Sequence, residues 1–134
     1  MLQRCLASII NLTDYPDIEL VIVDHESTQR RARRVIDEYN TMSDCTVISF
    51  DGQFNFAAMM NRAAEASTGA VLCLLNNDTE VIESHWLAAM VGQLARPDVG
   101  VVGAHLLFPD GTVQHAGIHP SLGGLMGHAH KHLR

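Results

Sequence analysis

The sequence predicts an α/β fold: a mostly parallel sheet flanked by helices, in a single domain spanning residues 1–134. Two observations carry this expectation. Short β-branched runs alternate along the chain with stretches whose apolar residues recur at helical spacing. The helical stretches are also long enough to act as the right-handed crossovers that parallel strands require. No internal repeat and no linker interrupts the pattern.

Leu2, Cys5, Leu6, Ile9 and Ile10 fall at helical spacing, so the chain opens inside a helix with no capping residue before it. "TDYPD" (13–17) breaks the pattern as a turn. "IELVIVD" (18–24) reads as a buried strand ending in Asp24. Residues 28–40 form a helix with Val35, Ile36 and Tyr39 on one side, and "CTVISF" (45–50) is the next strand. After the loop "DGQFN", Phe56, Met59, Met60, Ala63 and Ala64 make a helical stripe, with Gly69 as its stop. Phe54, Phe56, Met59 and Met60 are expected to pack in the core.

"AVLCLL" (70–75) is expected to be a buried strand that stops at Asn76-Asn77-Asp78. Ser84 is placed to cap a helix whose inner face is Leu87, Met90, Val91 and Leu94, with Pro97 beyond its end. "VGVVG" (99–103) reads as a further strand, and residues 105–117 as a hairpin turning at Pro109-Asp110-Gly111. The tail is rich in glycine and histidine and has no clear period.

Composition narrows the function. Apolar residues make up 47% and charged residues 18%, enough for a core and unlike a disordered chain. A formal net charge of -6 disfavours nucleic acid as a partner. The basic cluster Arg30-Arg31-Ala32-Arg33-Arg34 reads as a solvated helix face. No apolar stretch is long enough for a membrane span, and the first residues lead into an amphipathic helix instead of a signal peptide. Cys5, Cys45 and Cys73 are odd in number, lack CxxC spacing and sit in apolar contexts, so they read as buried free thiols.

In an open parallel sheet, ligands bind beyond the carboxyl ends of the strands. Two predicted strands end there in acid, at Asp24 and Asp78. One aspartate beside two asparagines suits a divalent cation that arrives with phosphates, since such an ion takes one or two carboxylates and fills its other positions from substrate and water. The alternative is a plain polar turn, which asparagine and aspartate also favour. Asp24 is placed either to accept hydrogen bonds from a nucleobase or ribose, or simply to end a strand. Neither GxGxxG nor GxxxxGK[ST] is present, so a bound diphosphate would need a metal and not a glycine loop to neutralise it. His128, His130 and His132 alternate, as a metal site on a strand or as a surface tail. For His115 a structural hydrogen bond is the simpler reading.

"YPDIELVIVDHEST", "FNFAAMMNRAAEASTGAVLCLLNNDTEVI" and "VGVVGAHLLFPDGTVQHAG" occur in this order. Together they resemble the family 2 glycosyltransferases of GT-A fold, in the branch that includes bacterial rhamnosyltransferases. The resemblance covers about residues 2–130. It implies transfer of a sugar from a nucleotide-diphosphate donor, with inversion, to a saccharide or lipid-linked acceptor in polysaccharide biosynthesis. It assigns Asp24 to the nucleobase and Asp78 to Mg²⁺ or Mn²⁺ and the donor diphosphate. Asn76 and Asn77 would line the donor site, and Asn55 and Asn61 would shape its floor. The setting implied is cytoplasmic, where nucleotide sugars are found.

The departures from the family pattern are specific. Where members read like "VDNGSTD", this chain has "VDHESTQ": His25, Glu26 and Gln29 stand for an amide, a glycine and an acid. The strand that opens the family's domain, resembling "SIIIPTYN", is missing, and no acid after Gly117 can serve as the general base an inverting transfer needs. The expectation is therefore a donor-binding part of a catalytic domain, inactive by itself, with two unpaired strand edges: either the strands ending at Asp24 and Asp78 close up and pair directly, or a partner chain, as in a homodimer, fills the gap. The alternative is a non-catalytic nucleotide-binding or protein-interaction module of the same fold. A nucleotidyltransferase is a weaker third reading, because the glycine-rich phosphate loop is absent.

Overall fold

The computed structural model describes residues 1–120, 126–128 and 132–133, the side chains of 119, 120 and 126–128 excepted. The chain divides into two compact units, Met1–Leu87 and Ala88–Arg134.

The first unit holds α1 (Leu2–Leu12), β1 (Leu20–Asp24), α2 (Arg30–Tyr39), β2 (Cys45–Ser49) and α3 (Phe56–Ala66). The two strands pair in parallel, in register from Leu20 opposite Cys45 to Asp24 opposite Ser49. α2 is the crossover between them, as parallel pairing demands. Val35 and Tyr39 lie four residues apart on α2 and so share one face. They pack with Leu6 of α1, Ile22 of β1 and Cys45 of β2 in one buried cluster, flanked by Leu2, Leu20 and Val47. This cluster fixes which way β1 points, and so where Asp24 emerges.

Local chemistry sets the helix ends. α1 is preceded by Met1 at its N-cap, whose side chain makes no capping bond. Its carbonyl accepts from the N–H groups of Arg4 and Cys5. α3 is capped by Asn55, whose side-chain oxygen accepts from Ala58 N–H at 3.0 Å. α3 stops at Ala66, with Ser67 extended after it, ahead of the expected stop at Gly69. Glu19 gathers the residues beyond: its Oε2 accepts from Thr68 N–H (2.8 Å), Thr68 Oγ1 (3.1 Å) and Ser67 Oγ (3.3 Å). The Thr68 N–H bond leads the effects that hold the Glu19 carboxyl below its ordinary pKa.

Several expectations are corrected. Residues 70–75 form no strand, and Val71, Leu72, Leu74 and Leu75 are exposed. A strand exists only through its ladder, and no described residue pairs with this segment. Among the described residues the parallel sheet is accordingly reduced to β1 and β2. Cys73 is exposed with its neighbours, whereas Cys5 and Cys45 are buried and all three are free thiols. On the α3 stripe only Met59 is buried: Phe54 and Phe56 are 63% and 52% exposed. Residues 99–103 form no strand either, and Val101 is 88% exposed.

α4 (Trp86–Leu94) starts at the end of the first unit. It begins two residues beyond Ser84, whose carbonyl accepts from Asp14 N–H at 2.9 Å. Its stripe Leu87, Met90, Val91 and Leu94 is half-buried while Ala88, Ala89, Gly92 and Gln93 are exposed, so the predicted period holds. In the second unit, β3 (Leu106–Leu107) and β4 (Val113–His115) form the expected antiparallel hairpin. Gly111 at φ +81° turns it, and Asp110 Oδ1 accepts from Thr112 N–H at 2.9 Å. β5 (Ile118–Pro120) and β6 (Met126–His128) form another antiparallel pair. His132 stacks on Phe108, with ring centroids 5.3 Å apart. His130 and the side chain of His128 lie outside the described residues, so the alternating triplet is not described as a set.

Candidate functional site

Asp24 ends β1 where the parallel ladder closes, with Phe50 N–H donating to its carbonyl at 2.9 Å. The half-buried Asp24 side chain uses one oxygen: Oδ1 accepts from Ser27 N–H at 3.1 Å. Oδ2 makes no hydrogen bond among the described residues and remains an acceptor for a ligand.

The next two residues tie this turn to the loop after β2. His25 Nε2 donates to Gly52 O at 2.8 Å, and Glu26 Oε1 accepts from Gly52 N–H at 3.1 Å. The His25 ring also meets Phe54 edge to face, with centroids 5.6 Å apart. Glu26 stands at φ +51°, the left-handed region that costs a side-chain-bearing residue about 1 kcal/mol. Neither His25 nor Glu26 was a candidate from the sequence. The signal was their departure from the family pattern, which marked the loop without saying what the new side chains would do.

The turn Asn76–Asp78 is held from beneath by α1. Arg4 Nη2 pairs with Glu80 Oε1 at 2.8 Å, both exposed. Cys5 Sγ donates to Asn76 O at 3.7 Å and lies 4.0 Å from Thr79 Oγ1, which itself donates to Asn76 O at 2.8 Å. Ser8 Oγ accepts from Val81 N–H at 3.0 Å and donates to Cys5 O at 2.8 Å. Three side chains spaced along one face of α1 thus anchor this segment. Burial pushes the Cys5 thiol up, opposed by its bonds with Thr79, and the charges of Asp78 and Glu80 add to the rise. The sequence did not show this anchoring, because the contacts join residues more than 70 positions apart.

Asn76, Asn77 and Asp78 are all exposed. Asp78 makes no hydrogen bond or ion pair among the described residues. No group of three or more His, Cys, Asp or Glu among the described residues could hold a metal ion by itself. A single uncommitted carboxylate is nonetheless the donor set for Mg²⁺ or Mn²⁺ arriving with phosphate ligands, and Asp78 fits that requirement. Asn55 spends its side-chain oxygen on capping α3, leaving its amide N–H₂ to meet a ligand. Asn61 is exposed on α3. These six residues all belong to the first unit.

A groove of about 200 Å³ lies at the opposite end of the strands, lined by Ile9, Tyr15, Leu20, Met42 and Cys45 among others. It is separate from Asp24 at the carboxyl end of β1. No helix is long and apolar enough to cross a membrane among the described residues.

Comparisons with known proteins give the family of the chain. The family "Glycosyl transferase family 2" matches residues 1–123. The chain is 38% identical over 128 residues to the O-antigen biosynthesis protein RfbC of Myxococcus xanthus, covering 96% of this chain and 10% of that protein. It is 37% identical over 131 residues to the uncharacterized protein y4gI of Sinorhizobium fredii, covering 97% of this chain and 14% of that protein. The chain therefore spans a small part of the length of both relatives. No solved structure matches. With a family match over nearly its whole length and an α/β unit that brings Asp24 to the carboxyl end of a parallel pair, the chain belongs to glycosyl transferase family 2.

Proposed function

We propose that this chain is the donor-binding part of an inverting hexosyltransferase that builds polysaccharide in the cytoplasm. It binds a nucleotide-diphosphate sugar whose glycosyl group passes to a saccharide or lipid-linked acceptor. The observation that carries the reading is the Asn76–Val81 segment: Cys5 bonds to Asn76, Arg4 and Ser8 of α1 hold the following Glu80 and Val81, and the Asp78 carboxylate makes no bond among the described residues. Family membership supports the reaction class, and the O-antigen name of one relative supports the polysaccharide context.

In this proposal Asp24 Oδ2 accepts from a nucleobase N–H. Asn76 and Asn77 line the diphosphate, and Asn55 and Asn61 shape the floor. Asp78 would hold Mg²⁺ or Mn²⁺, which when bound neutralises charge building on the departing diphosphate. The acceptor hydroxyl attacks the anomeric carbon on the face opposite the leaving group, which inverts the centre. No residue of this chain is assigned as the base that takes the hydroxyl proton, so the role proposed for it is donor binding.

A second reading, a non-catalytic partner-binding module, draws on the exposed run Val71, Leu72, Leu74 and Leu75. On this reading the apolar run would serve as an association surface, and a homodimer is the proposed form.

Calorimetric titration of UDP and dTDP, with and without Mn²⁺, tests the two readings on this chain and on Asp78→Ala. Binding that requires Mn²⁺ and disappears in the variant supports the donor site. Stable self-association without nucleotide affinity supports the module.

A further inference from the structure

β1 and β2 part company at the site. The last ladder bond is Phe50 N–H to Asp24 O. Beyond it, no backbone–backbone bond joins residues 25–29 to residues 51–55 among the described residues. What holds these two loops together is a pair of adjacent side chains acting on one glycine. His25 takes the Gly52 carbonyl and Glu26 takes the Gly52 N–H.

Each part of this contact has a requirement that the structure meets. Gly52 stands at φ +91°, a conformation side chains disfavour, and there it presents both its polar groups to the β1 turn. Glu26 occupies a left-handed position at φ +51° that glycine would fill without strain. A non-glycine residue persists there when surrounding contacts over-determine it. The contact is the carboxylate reaching Gly52, which glycine has no atoms to make. The His25 ring, fixed by its bond to Gly52, also meets Phe54 next to the α3 cap Asn55.

We infer that His25 and Glu26 are positioning residues: they clamp the β2–α3 loop onto the end of β1 and so hold Asn55 in a fixed relation to Asp24. The inference rests on the donor-site reading, for which Asp24 and Asn55 are proposed contacts. The clamp acts through Gly52, so neither His25 nor Glu26 needs to touch the nucleotide.

The test uses four variants of this chain: His25→Ala, Glu26→Ala, Glu26→Gln and Glu26→Gly. Amide hydrogen exchange at Gly52 reports the clamp, and exchange at Ile22 and Val47 reports the core. Affinity for UDP and dTDP with Mn²⁺ reports the site, and the ¹⁵N shift of His25 Nε2 reports its proton. Glu26→Gly relieves the backbone while deleting the carboxylate, so it separates strain from clamping. Expected are a tenfold or greater rise in Gly52 exchange in Glu26→Ala and Glu26→Gly, with Ile22 and Val47 unchanged, and nucleotide affinity weakened at least fivefold. His25→Ala weakens affinity similarly. Glu26→Gln keeps an acceptor oxygen and stays within twofold of the parent. In the parent, His25 carries its proton on Nε2.

Unchanged Gly52 exchange in Glu26→Gly would overturn the clamp. Faster exchange with unchanged affinity would overturn the positioning role while leaving the donor site intact. A parent chain with no affinity for either nucleotide would overturn the donor reading and the positioning role with it. Gly52 exchange would then show whether the clamp survives as a purely structural contact.

Discussion

Replacing Ser8 with alanine removes one oxygen that does two jobs: it accepts from Val81 N–H at 3.0 Å and donates to Cys5 O at 2.8 Å. The Cys5 carbonyl keeps its place in the α1 ladder, so the loss falls mainly on Val81. Its N–H is part-buried, and water replaces only some of what Ser8 supplied. Stranding such a donor costs about 1–2 kcal/mol. The remaining ties cannot make good that loss. The exposed Arg4–Glu80 pair is worth roughly 0.5 kcal/mol, and the Cys5 contact to Asn76 at 3.7 Å is long and involves a weak donor. The penalty therefore appears as local opening of residues 76–81. About 1.4 kcal/mol corresponds to tenfold in an equilibrium constant, so Val81 exchange should rise roughly tenfold in Ser8→Ala. On the proposed donor-site reading, Mn²⁺-dependent nucleotide affinity should fall, because Asp78 would spend less time in its bound position. Exchange of Ile22, in the core of the same unit, should stay unchanged. Unaltered Val81 exchange would refute the anchoring argument. Faster Val81 exchange with parental affinity would refute the link from turn to site.

Three further outcomes are expected. The folded-state pKa of Glu19 is depressed, so its contribution to stability is present above its unfolded value and is lost as pH falls through the folded one. Urea midpoints of the parent and Glu19→Gln should thus differ most near neutral pH and converge in acid, and a constant difference would show that the Thr68 contacts do not act through charge. Among the three thiols, Cys73 should react with a small alkylating reagent before Cys5 and Cys45, since the residue is exposed and they are buried. Local burial of the Cys73 sulfur raises its pKa, so the rate should climb with pH, and labelling of Cys45 before Cys73 would contradict the fold. Leu6→Ala removes a side chain from the cluster of Leu6, Ile22, Val35, Tyr39 and Cys45 and should cost about 2–5 kcal/mol in urea unfolding. A loss under 1 kcal/mol would mean that α1 is not part of that core.

Elements whose signal is local were legible in the sequence. The period of Leu2, Cys5, Leu6 and Ile9 is that of α1, and the β-branched run ending at Asp24 is β1. Val35 and Tyr39 mark the inner face of α2, and Pro109-Asp110-Gly111 marks the hairpin. Periodicity records which face of an element is apolar, and a turn residue acts within a few positions, so neither needs the rest of the chain. The site candidates Asp24 and Asp78 were legible for a similar reason, as acids that end apolar runs.

What the tertiary structure decided involves partners distant in sequence. "AVLCLL" has the composition of a buried strand, but composition supplies no ladder, and without a pairing partner among the described residues its leucines are exposed. Asn55 carries the type expected of a site residue, and only the structure shows its oxygen committed to Ala58. Ser8 was an ordinary helix residue until Val81 came within 3.0 Å. His25 and Glu26 were departures from a pattern until Gly52 gave both a common target. A sequence states what each side chain can donate, accept or bury. Which of these capacities is spent depends on the group that folding brings opposite it.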